Sequence, residues 1–503
     1  MEKIAIIKLG AQSVKLSLFD VAPNGYYNLF DEIVETVKIG ASVEKDNLIK
    51  PAIVNESLTY LKLFRKICDA NNVGKIVAIS ESFIKVAKNQ KSYFDEVYNN
   101  TGFAFNIMSS EEEVKTVYKG ITSIIDISKA VAIYIAPNQT HIIQYNRRTI
   151  VSTETIDYGY LNLAEKYSEI LDPVEKNEQM VKEVLFSLKN NEIIHNLEPE
   201  VPFVGVGTVF ESLGKLSRKV SKYPLDLGNN YVVTDESFNN VYEIVKSLDL
   251  DKTKKLKGIS EDRADTLASG LAIVKALIET ANIPNISICC DAFDEGLISQ
   301  ASIQDGVERI PSDMLTASLD TIRTFYDREL SNTLNVYNLA IILFKQLKVI
   351  HKLPRNYVKS LRIASSMYNC GTRICFEDYS NKCFDIIINS KIYGASQKDI
   401  LVAAFACKAQ NLENLSLAEW MKYKDILTDE DLDAVRKLGV IIKLAALMDK
   451  SRMGNITDVT CDILGDSIIM KTITKGDASF DILQAQKVSN DFKKVLKKTL
   501  QVL

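Results

Sequence analysis

The alternation of apolar and polar positions at the start of the chain predicts a β-hairpin. Apolar and polar residues largely alternate along Lys3–Asp20, and the pattern breaks once, at Gly10–Gln12, where a tight turn fits. A third strand is predicted over Tyr26–Val37. The apolar residues of the next segment recur with the period of an amphipathic helix, which predicts a helix over roughly Asn55–Asn71. This order of elements indicates an α/β fold.

The opening pattern occurs a second time further along the chain. Lys129–Asn146 has the same two apolar strands, and Ala136–Asn138 stands at the turn where the first copy has Gly10–Gln12. In both copies another strand and helices follow. The repeat predicts an internally duplicated α/β chain, in which two lobes enclose a cleft between two opposed hairpin turns. The alternative is that the hairpins are unrelated, since any two hairpins share a period of two residues.

The rest of the chain changes character twice. From about residue 312 to residue 451 the apolar positions have a helical period throughout, and beyond it Ile456–Ile463 and Ser467–Thr474 are predicted as strands. A Lys-rich helix with a solvated face is predicted over about Ile482–Leu500. The predicted domains cover residues 1–121, 122–305, 306–452 and 453–503.

Composition excludes several classes of protein. The chain of 503 residues is 46% hydrophobic and 25% charged, which is ordinary for a soluble globular protein and excludes a disordered or disulfide-scaffold chain. Its net charge of −4 argues against a nucleic-acid binder. No apolar run of about 18 residues occurs, so no membrane span is expected.

The cysteines and histidines limit the metal chemistry. Eight cysteines occur without a C-x-x-C pair, and they are predicted to be free, mostly buried thiols of a cytoplasmic protein. The spacing of Cys370, Cys375 and Cys383 leaves a metal cluster as the alternative, although no histidine lies near them. Since the chain has three histidines, a multi-histidine metal site would need most of them to converge.

Motifs spread over nearly the whole chain share one resemblance. Beside the opening hairpin they include Val204–Thr208, Gly258–Asp265, Gly270–Ile273 and the turn Asp294–Leu297. Together they resemble the exopolyphosphatase and guanosine pentaphosphate phosphohydrolase family, within the sugar kinase–actin superfamily. The resemblance implies two actin-like α/β lobes, an all-helical domain like that of the HD metal-phosphohydrolases, and a small α+β C-terminal domain. It also implies removal of the terminal phosphate from polyphosphate or pppGpp with a divalent metal, magnesium.

The same resemblance implies a position for the catalytic base. The family motif is Ser-Gly-x-Glu-Glu-Ala, and Ser109–Val114 matches it, so the second glutamate of the pair is Glu113. In the family this glutamate activates the attacking water, which requires a carboxylate beside the phosphate. Ser109 and Glu112 have the spacing of a capping box, which predicts a helix N-terminus that favours an ionised carboxylate. The alternative is a capped helix whose glutamates only complement its dipole.

The first phosphate loop keeps part of the family pattern. The family has Asp-x-Gly-Ser-Asn-Ser, and Lys8–Ser13 retains the glycine and the last serine. Lys8 replaces the acid; lysine cannot bind a cation but can pair with a phosphate. A family arginine is replaced by Lys85, which keeps the charge without the bidentate geometry. The turn Gly207-Thr208 leads a later helix and could also face an anion. The predicted phosphate-binding residues are therefore Lys8, Gly10, Ser13, Lys85, Gly207 and Thr208.

The second phosphate loop departs further from the family. The family has Asp-Ile-Gly-Gly-Gly-Ser-Thr-Glu where this chain has Tyr134–His141. All three glycines are replaced, Pro137 offers no N–H to a phosphate, and Tyr134 stands at the second acid. A late family arginine is Asp294, and Glu81 adds a negative charge near Lys85. Because both loop acids are replaced, no metal ion is expected in the cleft, although the family uses magnesium.

Two classes of function follow from the resemblance and these departures. The first is a phosphoanhydride hydrolase of the exopolyphosphatase type, with altered phosphate and metal loops and weak or absent turnover. The alternative is a catalytically inactive regulatory protein, a pseudoenzyme whose cleft binds polyphosphate or a guanosine polyphosphate.

The helical region is expected to act without a metal. Met367–Gly371 stands where the metal-phosphohydrolases carry a His-Asp pair, and no histidine follows His351. The region is predicted to be structural, dimerising or ligand-binding. Because long family members are commonly dimers, a homodimer through the C-terminal half is predicted, with the apolar segment Leu401–Ala406 as an example of its surface. A buried helix inside the domain is the alternative for this segment.

Overall fold

The computed structural model describes residues 1–147, 149–303, 313–326 and 330–503. The chain divides into two compact units. The first comprises Met1–Tyr223 and Gly228–Met314, and the second comprises Pro224–Leu227 and Leu315–Leu503. Among the described residues, no helix is long and apolar enough to cross a membrane.

The first unit begins with a five-stranded sheet that confirms the predicted hairpin. Its strands are β1 (Glu2–Leu9), β2 (Ser13–Val21), β3 (Tyr27–Thr36), β4 (Lys75–Ser80) and β5 (Phe105–Ile107). They lie in the order β3-β2-β1-β4-β5, and β1, β4 and β5 run parallel. The accompanying helices are α1 (Ile39–Asp46), α2 (Pro51–Ala70), α3 (Gln90–Thr101) and α4 (Ser110–Ile124). Helix α2 begins before the predicted Asn55 because Pro51 suits the first helical position.

The second sheet repeats this arrangement, which confirms the predicted duplication. Its strands are β6 (Lys129–Ile135), β7 (Thr140–Asn146), β8 (Thr149–Ile156), β9 (Phe203–Val206), β10 (Val232–Thr234) and β11 (Asn285–Cys289). In the order β10-β11-β9-β6-β7-β8, the strands β8, β7, β6 and β9 take the places of β3, β2, β1 and β4. The helices are α5 (Tyr160–Lys166), α6 (Pro173–Leu188), α7 (Glu192–His195), α8 (Thr208–Val220), α9 (Asp235–Val245), α10 (Leu250–Thr253), α11 (Leu267–Ala281) and α12 (Ala292–Ala301).

The parallel strands place chemically important segments at one edge of each sheet. In the first sheet β1 ends at the turn 10–12, β4 ends at Glu81, and β5 leads to α4. In the second sheet β6 ends at the turn 136–139, β9 ends at Gly207, and β11 leads to α12. Ligands of open α/β sheets bind beyond the carboxyl ends of parallel strands. The site is therefore expected where these segments meet.

Helices α4 and α12 cross at very short range. A β-carbon on Gly120 of α4 would lie 1.7 Å from the carbonyl oxygen of Ala292, and one on Gly296 of α12 would lie 2.0 Å from the carbonyl oxygen of Thr116. Glycine is required at both positions because backbone, and not a flexible side chain, fills the space. The crossing fixes α4, which carries Glu113, against α12, which carries Asp294.

The second unit is helical and ends in a small three-stranded sheet, as predicted. Its helices are α13 (Met314–Tyr326), α14 (Leu330–Gln346), α15 (Lys348–His351), α16 (Tyr357–Ser366), α17 (Tyr379–Ile388), α18 (Gln397–Lys408), α19 (Leu417–Trp420) and α20 (Asp429–Leu447). The last elements are β12 (Ile456–Leu464), β13 (Ser467–Thr474), α21 (Ser479–Gln486), α22 (Ser489–Leu496) and β14 (Thr499–Val502).

The prediction of one Lys-rich helix over Ile482–Leu500 is wrong. The segment contains the two short helices α21 and α22 and the beginning of β14. Lys497 has a left-handed backbone with a φ of 58°, which ends α22. The chain can then turn and pair parallel to β13, an interaction that helical periodicity does not reveal.

The apolar segment Leu401–Ala406 lies inside the second unit. Its residues are at most 1% exposed, and α18, which contains them, packs against α16, α17 and α20. The alternative of a buried helix is therefore correct for this segment, and the expectation that it forms a dimer surface is wrong. The homodimer itself stays a prediction.

Candidate functional site

The candidate site lies between the two hairpin turns of the first unit. At the first turn, the amide of Gln12 donates to the Thr266 hydroxyl over 3.0 Å. At the second turn, Gln139 accepts a hydrogen bond of 3.1 Å from Ser110, in the first turn of α4. The second turn therefore contacts α4, the helix that carries Glu113, and the first turn contacts the residue that precedes α11.

Glu113 is a buried carboxyl group at the start of a capped helix. The predicted capping box is confirmed, because the Ser109 side chain and Glu112 each accept the other residue's backbone N–H. Glu113 follows directly and is 1% exposed. Its Oε1 accepts the backbone N–H of Ser82, and its Oε2 is buried without a hydrogen-bond partner among the described residues. One oxygen is thus held in place, and the other is buried without a hydrogen-bond partner among the described residues.

The helix N-terminus favours an ionised Glu113, but burial acts more strongly in the opposite direction. Burial, reinforced by the nearby charge of Glu81, raises the pKa of Glu113 to about 8. The hydrogen bonds from Ser82 and the charge of Lys85 act in the opposite direction but do not prevail. Desolvation of the charged form therefore outweighs the favourable end of the helix. Near neutral pH this carboxyl is mostly protonated.

Glu81 occupies the first phosphate loop. Its side chain is buried, and the backbone N–H of Ala11 donates to its carboxylate. A β-carbon on Gly10 would lie 3.5 Å from its Oε1. Burial raises the pKa of Glu81, and the charge of Lys8 lowers it. A backbone donor of the loop that the resemblance assigns to phosphate is thus engaged by an internal carboxylate.

Lys8 and Asp294 form an ion pair at the same site. Their charged groups lie 2.9 Å apart, with each side chain about one-fifth exposed at 19% and 18%. Lys15 also contacts Asp294, at 2.7 Å, and pairs with Glu32 at 2.7 Å. Burial alone would raise the pKa of Asp294, but the two lysines hold it well below its usual range. The Lys8 ammonium further lies 5.1 Å from the centre of the Phe293 ring.

Sequence reasoning noted both replacements but missed that they face each other. The resemblance places an acid at position 8 and an arginine at position 294, whereas this chain has Lys8 and Asp294. The sign of the charge is reversed at both positions. That reciprocal reversal was the signal that could have predicted the ion pair.

The second loop is filled with aromatic side chains. Tyr134 is buried, and its ring stacks on those of His141 and Phe293, with centroid distances of 5.8 and 6.3 Å. Burial raises the pKa of Tyr134 well above its usual value and lowers that of His141 to about 4. Both groups are neutral near pH 7, and neither offers an anionic metal ligand.

The backbone of the second turn is also largely engaged. Ala136 N–H donates to the carbonyl of Gln139, and the Pro137 carbonyl accepts from Leu161 at the start of α5. A β-carbon on Gly159 would lie 2.1 Å from the Ala136 carbonyl oxygen. The turn is therefore closed on itself and packed by a helix, not open like a glycine-rich phosphate loop.

The remaining predicted phosphate-binding residues lie around this centre. Gly10 N–H donates to the Ser13 carbonyl within the first turn. Gly207 has a φ of 94°, precedes Thr208 at the start of α8, and would place a β-carbon 3.3 Å from the Tyr134 ring. Lys85 is exposed, and its charge acts on Glu113. The structure thus brings these residues near one another, and their phosphate-binding roles stay predictions.

The residues of the cleft do not fit the magnesium ion that the family resemblance implies. Lys8 and Tyr134 replace the two loop acids, and the ammonium of one and the buried phenol of the other are poor ligands for a hard cation. Within the described part of the chain, no three His, Cys, Asp or Glu residues come together as a metal site. This includes Cys370, Cys375 and Cys383, which are free thiols.

Solved structures share this duplicated fold. An exopolyphosphatase from Cytophaga hutchinsonii superimposes with a TM-score of 0.56 at 17% identity. The superposition covers 62% of this chain and 100% of the exopolyphosphatase. The Ppx/GppA protein family member from Aquifex aeolicus gives a TM-score of 0.50 at 18% identity, covering 60% of this chain and 97% of the other. At these identities the likeness establishes the actin-like fold of the first unit.

Sequence comparison defines the family. The model of the Ppx/GppA phosphatase family matches residues 20–303, and that of Ppx/GppA phosphatase domain III matches residues 316–489. The chain therefore belongs to the Ppx/GppA phosphatase family.

Two curated relatives illustrate the range of the family. A guanosine-5'-triphosphate,3'-diphosphate pyrophosphatase of Pseudoalteromonas translucida is 21% identical over 422 residues, which cover 80% of each chain. A putative exopolyphosphatase of Haemophilus influenzae is 21% identical over 301 residues, covering 59% of this chain and 91% of the relative.

Proposed function

We propose that this protein is a phosphoanhydride phosphohydrolase that removes the terminal phosphate of polyphosphate or of pppGpp with weak turnover at neutral pH. Family membership supports the reaction class. The observation that carries the proposal is Glu113, a buried carboxyl group with one fixed and one unpartnered oxygen. The motif Ser109–Val114 assigns this residue the position of the family's catalytic glutamate.

Glu113 would act as the general base toward an attacking water. A general base must be ionised before it can accept a proton. With a pKa of about 8, only about a tenth of Glu113 is ionised near pH 7. This supports low turnover at neutral pH and a rate that increases toward alkaline pH.

Phosphate binding is also expected to be weaker than in a protein with the full family motifs. Lys8 is paired with Asp294, Pro137 has no N–H, and Glu81 engages the Ala11 amide. A phosphate entering the first loop would have to displace the Glu81 carboxylate or bind next to it. Like charges at short distance oppose the second arrangement.

The occupied first loop also favours a second candidate function. If Glu81 prevents the terminal phosphate from reaching Glu113, the protein would bind the anion without hydrolysing it. It would then be a catalytically inactive regulatory protein, a pseudoenzyme, with polyphosphate or a guanosine polyphosphate as its ligand.

The proposal is tested by measuring phosphate release from polyphosphate and from pppGpp. The assay covers a series of pH values, with and without magnesium. Wild-type release should rise through about pH 8, and Glu113→Gln should lower it by about 10²- to 10⁴-fold. Glu112→Gln is the matched control, because Glu112 is exposed and caps the same helix. It should retain the wild-type rate.

Other outcomes separate the two functions. Robust release that survives Glu113→Gln would show that the reaction takes place elsewhere. Calorimetric binding of either substrate without any release would favour the inactive regulator. A chain that neither binds nor hydrolyses either substrate would refute both candidates.

A further inference from the structure

Two cysteines of the helical unit lie in contact, and the proposed function uses neither of them. Cys370 begins the short turn Cys370–Arg373, and Cys383 lies in the middle of α17. The pKa of Cys383 is lowered, chiefly because the Cys370 thiol donates a hydrogen bond to its sulfur. The two sulfurs are therefore within hydrogen-bonding distance of each other, although they belong to different elements.

The backbone on both sides of Cys370 encloses the Cys383 sulfur. The Gly371 N–H donates to this sulfur at 3.2 Å, and the Cys383 thiol donates to the Tyr368 carbonyl at 3.3 Å. Since a backbone nitrogen lies about 2.4 Å from the preceding Cα, the Cα of Cys370 is within about 5.6 Å of the Cys383 sulfur. This range is compatible with a disulfide, whose two Cα atoms usually lie about 4.4–6.8 Å apart.

Gly371 allows the turn to approach α17 this closely. A β-carbon at this position would lie 2.1 Å from the Tyr379 carbonyl oxygen and 2.9 Å from the backbone nitrogen of Cys383. Because backbone atoms fill that space, any larger residue would push the turn away from the helix. The glycine therefore holds Cys370 beside Cys383.

A cavity of the helical unit gives small molecules access to the pair. Its volume is about 610 Å³, and Cys370 belongs to its lining. Cys370 is half-buried, whereas Cys383 is fully buried and does not belong to the lining. A small oxidant that enters the cavity therefore meets Cys370 first.

Two other cysteines of the unit are less suited to bridge Cys383. Cys407 is fully buried, and its thiol donates to the Ala364 carbonyl at 3.3 Å. Burial raises the pKa of Cys407 well above its usual value, which disfavours the reactive thiolate. Cys375 is exposed and follows the same turn as Cys370, so it provides a comparison for the oxidation of an ordinary thiol.

We propose that Cys370 and Cys383 form a modification site, at which hydrogen peroxide or a related small peroxide joins them in a reversible disulfide. The site lies in the helical unit, whereas Glu113 lies in the first unit, and the proposal does not depend on hydrolysis there. It gives the helical unit a chemical role without a metal.

The reaction has two steps. In the first, the Cys370 sulfur attacks one peroxide oxygen: an S–O bond forms, the O–O bond breaks, and the released hydroxide takes up the Cys370 thiol proton to give water. In the second, the Cys383 sulfur attacks the sulfenic acid on Cys370: the S–S bond forms, the S–O bond breaks, and the hydroxyl leaves with the Cys383 proton as a second water. The two sulfurs lose two electrons, which reduce the peroxide. The donors around Cys383 favour its thiolate, which is the form that attacks.

Peptide mapping after peroxide treatment tests the proposal. The full chain is treated with a small molar excess of hydrogen peroxide, its remaining thiols are blocked by alkylation, and it is digested with trypsin without reduction. Cleavage after lysine and arginine places Cys370, Cys375 and Cys383 in three separate peptides, 363–373, 374–382 and 383–391. The first and third peptides should appear linked, with a mass two hydrogen atoms below their sum. Dithiothreitol should separate them.

Matched variants assign the link to this pair. Cys370→Ser should abolish it, whereas Cys375→Ser makes the same change at the exposed neighbour and should leave its yield unchanged. Cys383→Ala adds no polar group to the core and should also abolish the link. The sulfenic acid on Cys370 should then accumulate, because no second thiol attacks it, and dimedone should trap it on peptide 363–373.

Three results would overturn the proposal. One is a link that joins Cys370 or Cys383 to a different cysteine. Another is a pair that stays reduced under conditions that oxidise Cys375. The third is a link between the two peptides that still forms in Cys370→Ser or Cys383→Ala.

Discussion

Replacing Glu113 by glutamine should remove a pH-dependent loss of stability. The unfolded carboxyl ionises near 4.5, whereas burial in the folded chain raises its pKa to about 8. The folded chain therefore binds this proton more tightly than the unfolded chain does. The stabilising contribution of the protonated group is fully present below about pH 4.5 and is lost as the pH rises through about 8.

The expected magnitude follows from these two pKa values. Between about pH 5 and about pH 9, the free energy of unfolding of wild type should fall by about 4 kcal/mol relative to Glu113→Gln. Glutamine resembles the protonated acid in shape and cannot ionise. The variant should therefore melt close to wild type in mild acid and clearly above it in alkaline solution.

Thermal unfolding and urea titration at matched pH values measure this difference. Glu112→Gln is the control, since its exposed carboxyl has a pKa lowered by hydrogen bonds from Ser109. A carboxyl whose pKa is lowered by folding stabilises the folded chain, and this contribution is lost only in acid. The free energy of unfolding of Glu112→Gln should therefore differ from that of wild type by a constant amount at neutral and alkaline pH. If Glu113→Gln shows the same constant difference, Glu113 is ionised in the folded chain and the reasoning is refuted.

Four further predictions concern the ion pair, the helix crossing, metal and assembly. Lys8→Asp should destabilise the chain by about 3 kcal/mol, and adding Asp294→Arg should recover part of the loss; no recovery in urea titrations would contradict the pairing. Gly120→Ala should lower the free energy of unfolding by about 3 kcal/mol or more, because its β-carbon would lie 1.7 Å from the Ala292 carbonyl oxygen. Gly74→Ala should melt near wild type, because the nearest atom, the Lys3 carbonyl oxygen, would lie 3.8 Å from the new β-carbon. Elemental analysis should find far less than one metal ion per chain, and a stoichiometric metal would overturn the argument from the loop acids. Light scattering at micromolar concentration should give the mass of a dimer, and a monomer mass would contradict that prediction.

The elements with a strong local pattern were predictable from the sequence. The two hairpins were identified from period-two alternation, and the start of α4 from the Ser109 and Glu112 spacing. These features depend on residues close together in the chain. The end of the chain was predicted incorrectly because the pairing of β14 with β13 is a tertiary interaction that overrides the helical pattern.

The electrostatics of the site could not be predicted from local sequence. The position of Glu113 followed from its motif, but its protonation depends on burial and on Glu81, which is contributed by another segment. The Lys8–Asp294 pair joins opposite ends of the first unit's sequence. Motif comparison identifies such residues one at a time, whereas pKa values and ion pairs depend on how the fold brings them together.

The Lys8–Asp294 pair constrains the order in which substitutions can accumulate. In the family pattern an acid stands at the first position and an arginine at the second. Exchanging only the first would bring two cations together, and exchanging only the second would bring two anions together. In a largely buried setting either intermediate is penalised, so the two positions are epistatic. An evolutionary path between the two charge arrangements therefore passes through a neutral residue at one position or through nearly simultaneous exchange at both.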